Sequence, residues 1–285
     1  MKHSILFILS VLILSACEKP VIDEDTVHDD AVVFSFIPTF KDTTRGNHSS
    51  FFSKLNVQIF DADGQKVFDK VKTQTSEDAD FCTLSLKLPA ATYTVVAVGH
   101  SSKVSATIKS PDAVQFTASD GEKLTDTFCH CSQITIGEDA AEFTLPMYRV
   151  GAMIQFCLTD TQVPDNFAYF IMEYTGGSAN FNPTTLEGIT KSSQSEKRIR
   201  NDLMIHQAYT FPYLATSCLL KITVSATDMD GTVIRKRVFE DVPVTRNRIT
   251  RCQGPLFGDG DYTIYQTAFG ITVNTDWAGE DFYTF

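Results

Sequence analysis

The sequence predicts an all-β protein, two β-sandwiches in tandem, on three observations. Short runs alternate apolar and polar residues with the period of two that a half-buried strand requires. Turn residues separate those runs at about the spacing of a β-sandwich. Each half also holds a strand, an Asp-x-Asp-Gly turn and a returning strand, at Asp61–Gly64 and at Asp228–Gly231. No stretch of the first half sustains a 3.6-residue apolar period.

The first element is residues 1–16. Lys2 precedes an apolar run from Ile5 to Leu14, and Leu14-Ser15-Ala16-Cys17 follows. A run of about ten residues is too short to cross a bilayer core of roughly 30 Å as a helix. It has the length and flanks of a signal-peptide h-region. Small residues directly before a cysteine are what a lipoprotein signal peptidase needs, because the lipid goes on that sulfur. The expectation is a lipidated Cys17 that tethers the mature chain to a bacterial outer membrane; the plain alternative is a secretory signal with an incidental cysteine. Residues 17–30, with Asp23-Glu24-Asp25 and Asp29-Asp30, read as a solvated acidic tether.

Composition narrows the function. The chain carries 24 Lys and Arg against 35 Asp and Glu, a net charge of −11. That balance argues against nucleic-acid partners, whose phosphates must be neutralised by surplus Lys and Arg. It suits an extracytoplasmic domain kept soluble by its own charge.

Residues 31–146 form the first predicted sandwich. Val32 to Ile37 is an apolar strand ending at Pro38. Leu55, Val57 and Ile59 share one face of the next strand, which turns at Asp61-Ala62-Asp63-Gly64 into Lys66-Val67-Phe68. Further strands are predicted at 81–88, 93–98, 104–108, 113–116, 132–136 and 142–145. The pattern restarts near Pro146, and residues 147–285 form the second sandwich. Its predicted strands are 150–158, 167–174, 218–226, 233–239, 242–250 and 268–274. Gly176 to Ser195 reads as a long polar loop, and Lys197 to Arg200 with Asp202 to Ile205 as a short helical turn. No linker-like tract separates the halves, so they are expected to pack together. The two Asp-x-Asp-Gly segments are turn chemistry, since a calcium loop needs further oxygens and a glutamate at its twelfth position.

Six cysteines remain besides Cys17. Cys82 falls in phase with Leu84, Leu86 and Leu88, and Cys218 with Leu220, Ile222 and Val224. They read as small core residues, while an exported chain could also oxidise them; disulfides and buried thiols both stay open. Catalytic signatures are missing. Gly99-His100-Ser101-Ser102-Lys103 lacks the second glycine of a nucleophile elbow, and there is no His-Glu-x-x-His and no glycine-rich phosphate loop. On a strand, Cys129-His130-Cys131 would aim its sulfurs one way and its imidazole the other, so it could not chelate one ion. No catalytic residue, metal or cofactor is expected. The basic residues Arg235, Lys236, Arg237, Arg246, Arg248 and Arg251 read as a solvent face of neighbouring strands, or else as a docking surface for an acidic partner.

Several segments together resemble the fimbrillin superfamily of type V pili. They are Thr44-Arg45-Gly46; Leu55 to Gly64, ending in Phe-Asp-x-Asp-Gly; Leu86 to Tyr93, with Ala91 where the family usually has glycine; Met147-Tyr148-Arg149-Val150; Val242 to Arg248; and Ile271 to Trp277. The resemblance implies two transthyretin-like β-sandwiches and a role in adhesive pili of Gram-negative anaerobes. In that family an arginine-specific protease trims stalk subunits, removing a strand, and a neighbouring subunit's strand fills the groove by β-strand addition. Here the site would be Arg45-Gly46, which reads equally as a loop. The Leu55 to Gly64 and Leu86 to Tyr93 motifs lean toward the anchor or accessory branch, in which the lipid is kept. Phe282, Tyr283 and Phe285 would be a donor strand, or the last strand of their own sheet. The implied partners are other fimbrial subunits and, through Cys17, the outer membrane; the surface ligand is left open. A rival reading is a glycan-binding surface lipoprotein, with Trp277 as its one tryptophan platform.

Overall fold

The computed structural model describes residues 31–39, 51–117, 124–259 and 263–267. These residues form nineteen β-strands and no helix. The first nine are β1 (Val32–Pro38), β2 (Lys54–Phe60), β3 (Lys72–Thr75), β4 (Thr83–Leu86), β5 (Ala91–His100), β6 (Ala106–Ser110), β7 (Ala113–Phe116), β8 (Phe128–Ile136) and β9 (Ala141–Arg149). They are followed by β10 (Ala152–Leu158), β11 (Tyr169–Thr175), β12 (Asn180–Asn182), β13 (Glu187–Gly188) and β14 (Gln194–Ile199). The chain continues as β15 (Ile205–Thr210), β16 (Ser217–Thr227), β17 (Val233–Thr245), β18 (Ile249–Gly254) and β19 (Thr263–Thr267).

The first half is one folded-over sheet of order β3-β2-β5-β8-β9-β1-β4. The fold-over lies between β8 and β9, which pair only at Phe128↔Arg149 and Cys129↔Tyr148 before diverging. One wing then lies over the other, and the apolar faces meet in a core that includes Phe34, Phe36, Leu55, Ile59, Val95 and Leu145. The two ends of the sheet are linked by a side chain. Gln74 Nε2 on β3 donates to the Thr83 carbonyl at 2.7 Å, and its Oε1 accepts from the Cys82 N–H at 3.1 Å. One carboxamide thus stands in for the missing strand pair between β3 and β4.

In the second half, sheets β15-β10-β18-β19 and β14-β11-β16-β17 face each other. Their core includes Phe156, Phe170, Tyr174, Ile222, Val224 and Cys252. A third cluster draws on both halves, joining Phe60, Val96 and Phe116 to Phe181 and Phe211. There the small sheet β13-β12-β7-β6 runs across the halves, with Phe181 paired to Val114. Arg149 fastens the same junction. Its Nε and Nη2 fork onto Asp126 at 2.8 and 2.9 Å, and Nη1 donates to Asn247 Oδ1 at 3.1 Å.

Two sequence expectations fail in this region. The segment Gly176 to Ser195 is not one loop: it contains β12 and β13 and enters β14 at Gln194. β12 and β13 span three and two residues, too few for an alternation to be read, and they are fixed by pairing with each other and with the distant β7. Residues 197–199 are strand rather than helix, and the turn falls at Asp202-Leu203. β14 ends its sheet and carries Gln194 and Glu196 inward, a polar pattern suited to an edge.

Candidate functional site

β1 is an apolar strand held as an insert. It lies between β9 and β4 and touches the second only briefly. Its ladder with β9 is parallel and runs the whole strand, from Val32↔Ala141 to Pro38↔Met147. Its antiparallel ladder with β4 covers Val32↔Leu86 to Ser35↔Thr83. The Phe36 N–H continues that ladder onto the Cys82 carbonyl at 2.9 Å, and the Thr39 N–H closes the other onto Met147 at 2.8 Å. Cys82 makes the tight turn into β4 with a left-handed φ of 69°.

The side chains follow the period of two that the sequence announces. Val32, Phe34 and Phe36 are at most 1% exposed and form the middle of the first core, whereas Ile37 is 37% exposed. Phe34 stacks on Phe143 with ring centroids 5.8 Å apart. Each buried aromatic or β-branched side chain of this kind contributes roughly 1.5–3 kcal/mol. Withdrawing β1 would therefore leave a groove walled by the main chains of β9 and β4 and floored by the opposite sheet. A groove of that form accepts an extended chain with alternating apolar residues and little else. Gln74 holds β4 from its far side, so that wall keeps one hydrogen-bonded partner when β1 is absent. No pattern marked Gln74 in the sequence, since its partners at 82 and 83 are fixed only by the fold-over.

The remaining sequence candidates within the described residues take structural places. Cys17, Arg45, Gly46, Trp277, Phe282, Tyr283 and Phe285 all lie outside the described residues. The two Asp-x-Asp-Gly turns are alike in detail. Asp61 Oδ1 accepts from the Asp63 and Gln65 N–H groups at 3.0 and 2.8 Å, and Asp228 Oδ1 accepts from Asp230 and Thr232 at the same distances. Gly64 and Gly231 supply the positive φ, 74° and 85°. Both carboxylates are spent on their own turns.

His130 does face away from its two flanking cysteines. Its Nδ1 meets the Pro146 carbonyl at 2.8 Å and its Nε2 the Ser132 hydroxyl at 2.7 Å, while Cys129 lies in the third cluster and Cys131 packs against it. Cys82, Cys129, Cys131, Cys157, Cys218 and Cys252 are all free thiols. Burial raises every one of them, Cys82 to about 12, so none is a thiolate at neutral pH. His100 is equally committed. Its Nε2 donates to Asn56 Oδ1 at 2.8 Å, its Nδ1 accepts from the Ser102 N–H at 3.1 Å, and burial beside Lys54 drives it down to about 3. Gly99 next to it is dictated by Phe52, whose ring would lie 2.7 Å from any Cβ.

The basic residues do not form one face. Arg235 reaches Asp259 at 3.3 Å, Arg237 the Leu256 and Gly258 carbonyls, Arg246 the Thr185 carbonyl at 2.9 Å, and Arg251 Gln155 at 2.8 Å. Arg235 and Arg237, two apart on β17, fasten the same segment at 256–259, while Arg246 and Arg251 each hold a different one.

One family model matches residues 25–284 of the 285. The chain belongs to DUF6562, a family of unknown function. No curated protein matches the sequence. The fold of this DUF6562 member is similar to that of a proposed adhesin from Bacteroides thetaiotaomicron, at 13% identity over 90% of this chain and 100% of that one, with a TM-score of 0.50. Also similar are a fimbrial assembly protein from Parabacteroides distasonis (12% identity, 83% and 94% of the two chains, TM-score 0.45) and the fimbrial anchor protein Mfa2 from Porphyromonas gingivalis (12%, 83% and 95%, TM-score 0.46). At 13% identity the likeness to the Bacteroides thetaiotaomicron protein is one of fold.

Proposed function

We propose that this protein is an outer-membrane lipoprotein of the fimbrillin superfamily, an anchor or accessory subunit of a type V pilus that supports adhesion through β-strand addition. The observation that carries the reading is β1. It is an apolar alternating strand held between two ladders, and it stands directly before the segment that contains Arg45-Gly46. In this reading each half is one sandwich, residues 31–146 and 147–285, with β9 crossing the boundary so that Met147 joins the first core while the second begins at Ala152. Lipid on Cys17 holds the protein to the membrane, and other fimbrial subunits are its partners. If Arg45 is left uncut, β1 stays and the protein closes the base of a fibre; if it is cut, the groove opens to a neighbour's strand, such as one carrying Phe282, Tyr283 and Phe285.

The test is isolation from native outer membranes. Fibre subunits are expected to co-purify with the wild-type protein, and Cys17→Ala is expected to release it, with its fibres, into the medium. A protein that fractionates with membranes through Cys17 yet never accompanies a fibre subunit refutes the pilus role.

A further inference from the structure

Among the described residues β15 ends its sheet, and no strand of theirs lies along its other side. Such an edge offers main-chain N–H and C=O groups to any strand that arrives. The Leu158 N–H donates to the Met204 carbonyl at 2.9 Å, and antiparallel pairs alternate between bonded and non-bonded. The main-chain groups of Ile205, Gln207 and Tyr209 therefore point away from β10, along the open side.

Side chains of the same molecule fill half of that row, both groups of Ile205 and the carbonyl of Tyr209. Asn201 Nδ2 donates to the Ile205 carbonyl at 2.9 Å, and its Oδ1 accepts from the Ile205 N–H at 3.3 Å. Tyr174 donates its hydroxyl to the Tyr209 carbonyl at 2.6 Å. Just beyond the strand, the Phe211 N–H and carbonyl are both paired with Ser178. Gln207 is left at the centre of the row, on a cleft of about 450 Å³ that Arg198, Ile199, Leu203 and Ile205 also line. Around that cleft Ile199 is 74% exposed, Leu203 79% and Ile205 37%. Apolar side chains beside a strand edge are what an associating edge requires. Here they surround an edge whose first hydrogen-bonding position, Ile205, is taken on both groups from within.

We propose that Asn201 is an edge guard: its carboxamide occupies the main-chain groups through which a second copy of the chain would add to β15, and without it this edge becomes a self-association site. The partner follows from symmetry. An antiparallel edge is complementary to itself about a twofold axis, so two β15 edges can pair with Gln207 opposite Gln207. Ile199, Leu203 and Ile205 of both copies then close over the paired strands. This inference is independent of the pilus reading, since it concerns an edge in the other half from β1.

The experiment places a thiol at the symmetry position. In the full chain, Gln207→Cys is expected to stay monomeric on mild oxidation, whereas Asn201→Ala with Gln207→Cys is expected to give a disulfide-linked dimer. The gain in dimer is at least about tenfold, the worth of about two hydrogen bonds released per edge. Asn201→Ala with Gln207 retained controls for the native thiols and is expected to form no covalent dimer. If the alanine variant fails to fold, Asn201→Ser, too short to bond both groups of Ile205, takes its place. Equal dimer yields with and without Asn201, in chains of unchanged far-ultraviolet circular dichroism, overturn the proposal.

Discussion

Replacing Phe34 by alanine removes the residue at the middle of β1. Phe34 is fully buried and stacked on Phe143, and a Phe→Ala change at such a site costs about 3–5 kcal/mol. Phe36, also fully buried, is expected to cost the same alone; its ring lies 6.5 Å from that of Phe34 in one core, so the two costs couple and the double variant loses up to roughly 6–10 kcal/mol. Domains of ordinary stability unfold at about 5–15 kcal/mol, which puts the double variant at or near the limit of folding. Ile37→Ala is the matched control, because Ile37 lies on the outward side of the same strand; it is expected to cost under about 1 kcal/mol. Urea unfolding followed by far-ultraviolet circular dichroism reads all three. A chain lacking residues 31–39 should unfold at much lower urea, and a peptide of sequence Val32–Pro38 should restore it in proportion to its concentration. If Phe34→Ala costs no more than Ile37→Ala, or if the chain without β1 is as stable as the whole, β1 is not the insert described above.

Three further outcomes are expected. Gln74→Leu keeps the volume but strips the Cys82 N–H and Thr83 carbonyl of their partner; about 1–3 kcal/mol should be lost, with faster hydrogen exchange confined to 80–86. Acid should weaken the fold through two buried imidazoles: burial lowers His100 to about 3, and burial beside Arg198 lowers His206 to about 4. The unfolded chain takes up these protons near pH 6.5 and the folded chain does not, so stability is full above pH 6.5 and falls as pH drops toward 3. At pH 4 each group accounts for about 3 kcal/mol of that loss. Among the described residues neither ring nitrogen of His206 has a hydrogen-bond partner, and the ring stacks on Phe170 at 4.4 Å. His206→Phe should therefore flatten the decline between pH 6.5 and 4 when urea midpoints are compared. Finally, Arg149→Met leaves Asp126 without its forked partner, and thermal unfolding should report a loss of about 3–5 kcal/mol.

Much of the strand pattern was legible because it is local. The alternation of Val32, Phe34 and Phe36 places them on one face, and the Asp228–Gly231 turn joins β16 to β17 as read. After Asp61–Gly64, in contrast, the expected return strand 66–68 is only the single bridge Phe60↔Lys66, and β2 pairs instead with β3. β2 shows where such reading ends. Leu55, Val57 and Ile59 announce a buried face, but Asn56 and Gln58 between them are equally buried. They look like a solvent face and instead bond His100, Thr73 and the Phe68 carbonyl, because a second layer covers that side. The site was legible only in part for the same reason. β1 could be read as a strand, but its parallel match to β9 depends on a crossover that no short window contains. Gln74 and Asn201 each act as a substitute strand, a role set by what folding brings beside them.

The most direct measurement is the N-terminus and intact mass of the protein taken from its native outer membrane. A lipid-modified Cys17 terminus on a chain that still carries β1, recovered with fibre subunits, is the expected result for an anchor. A chain beginning at Gly46 would make it a polymerising subunit with its groove opened. A lipidated chain that is never found with a fibre would contradict the account.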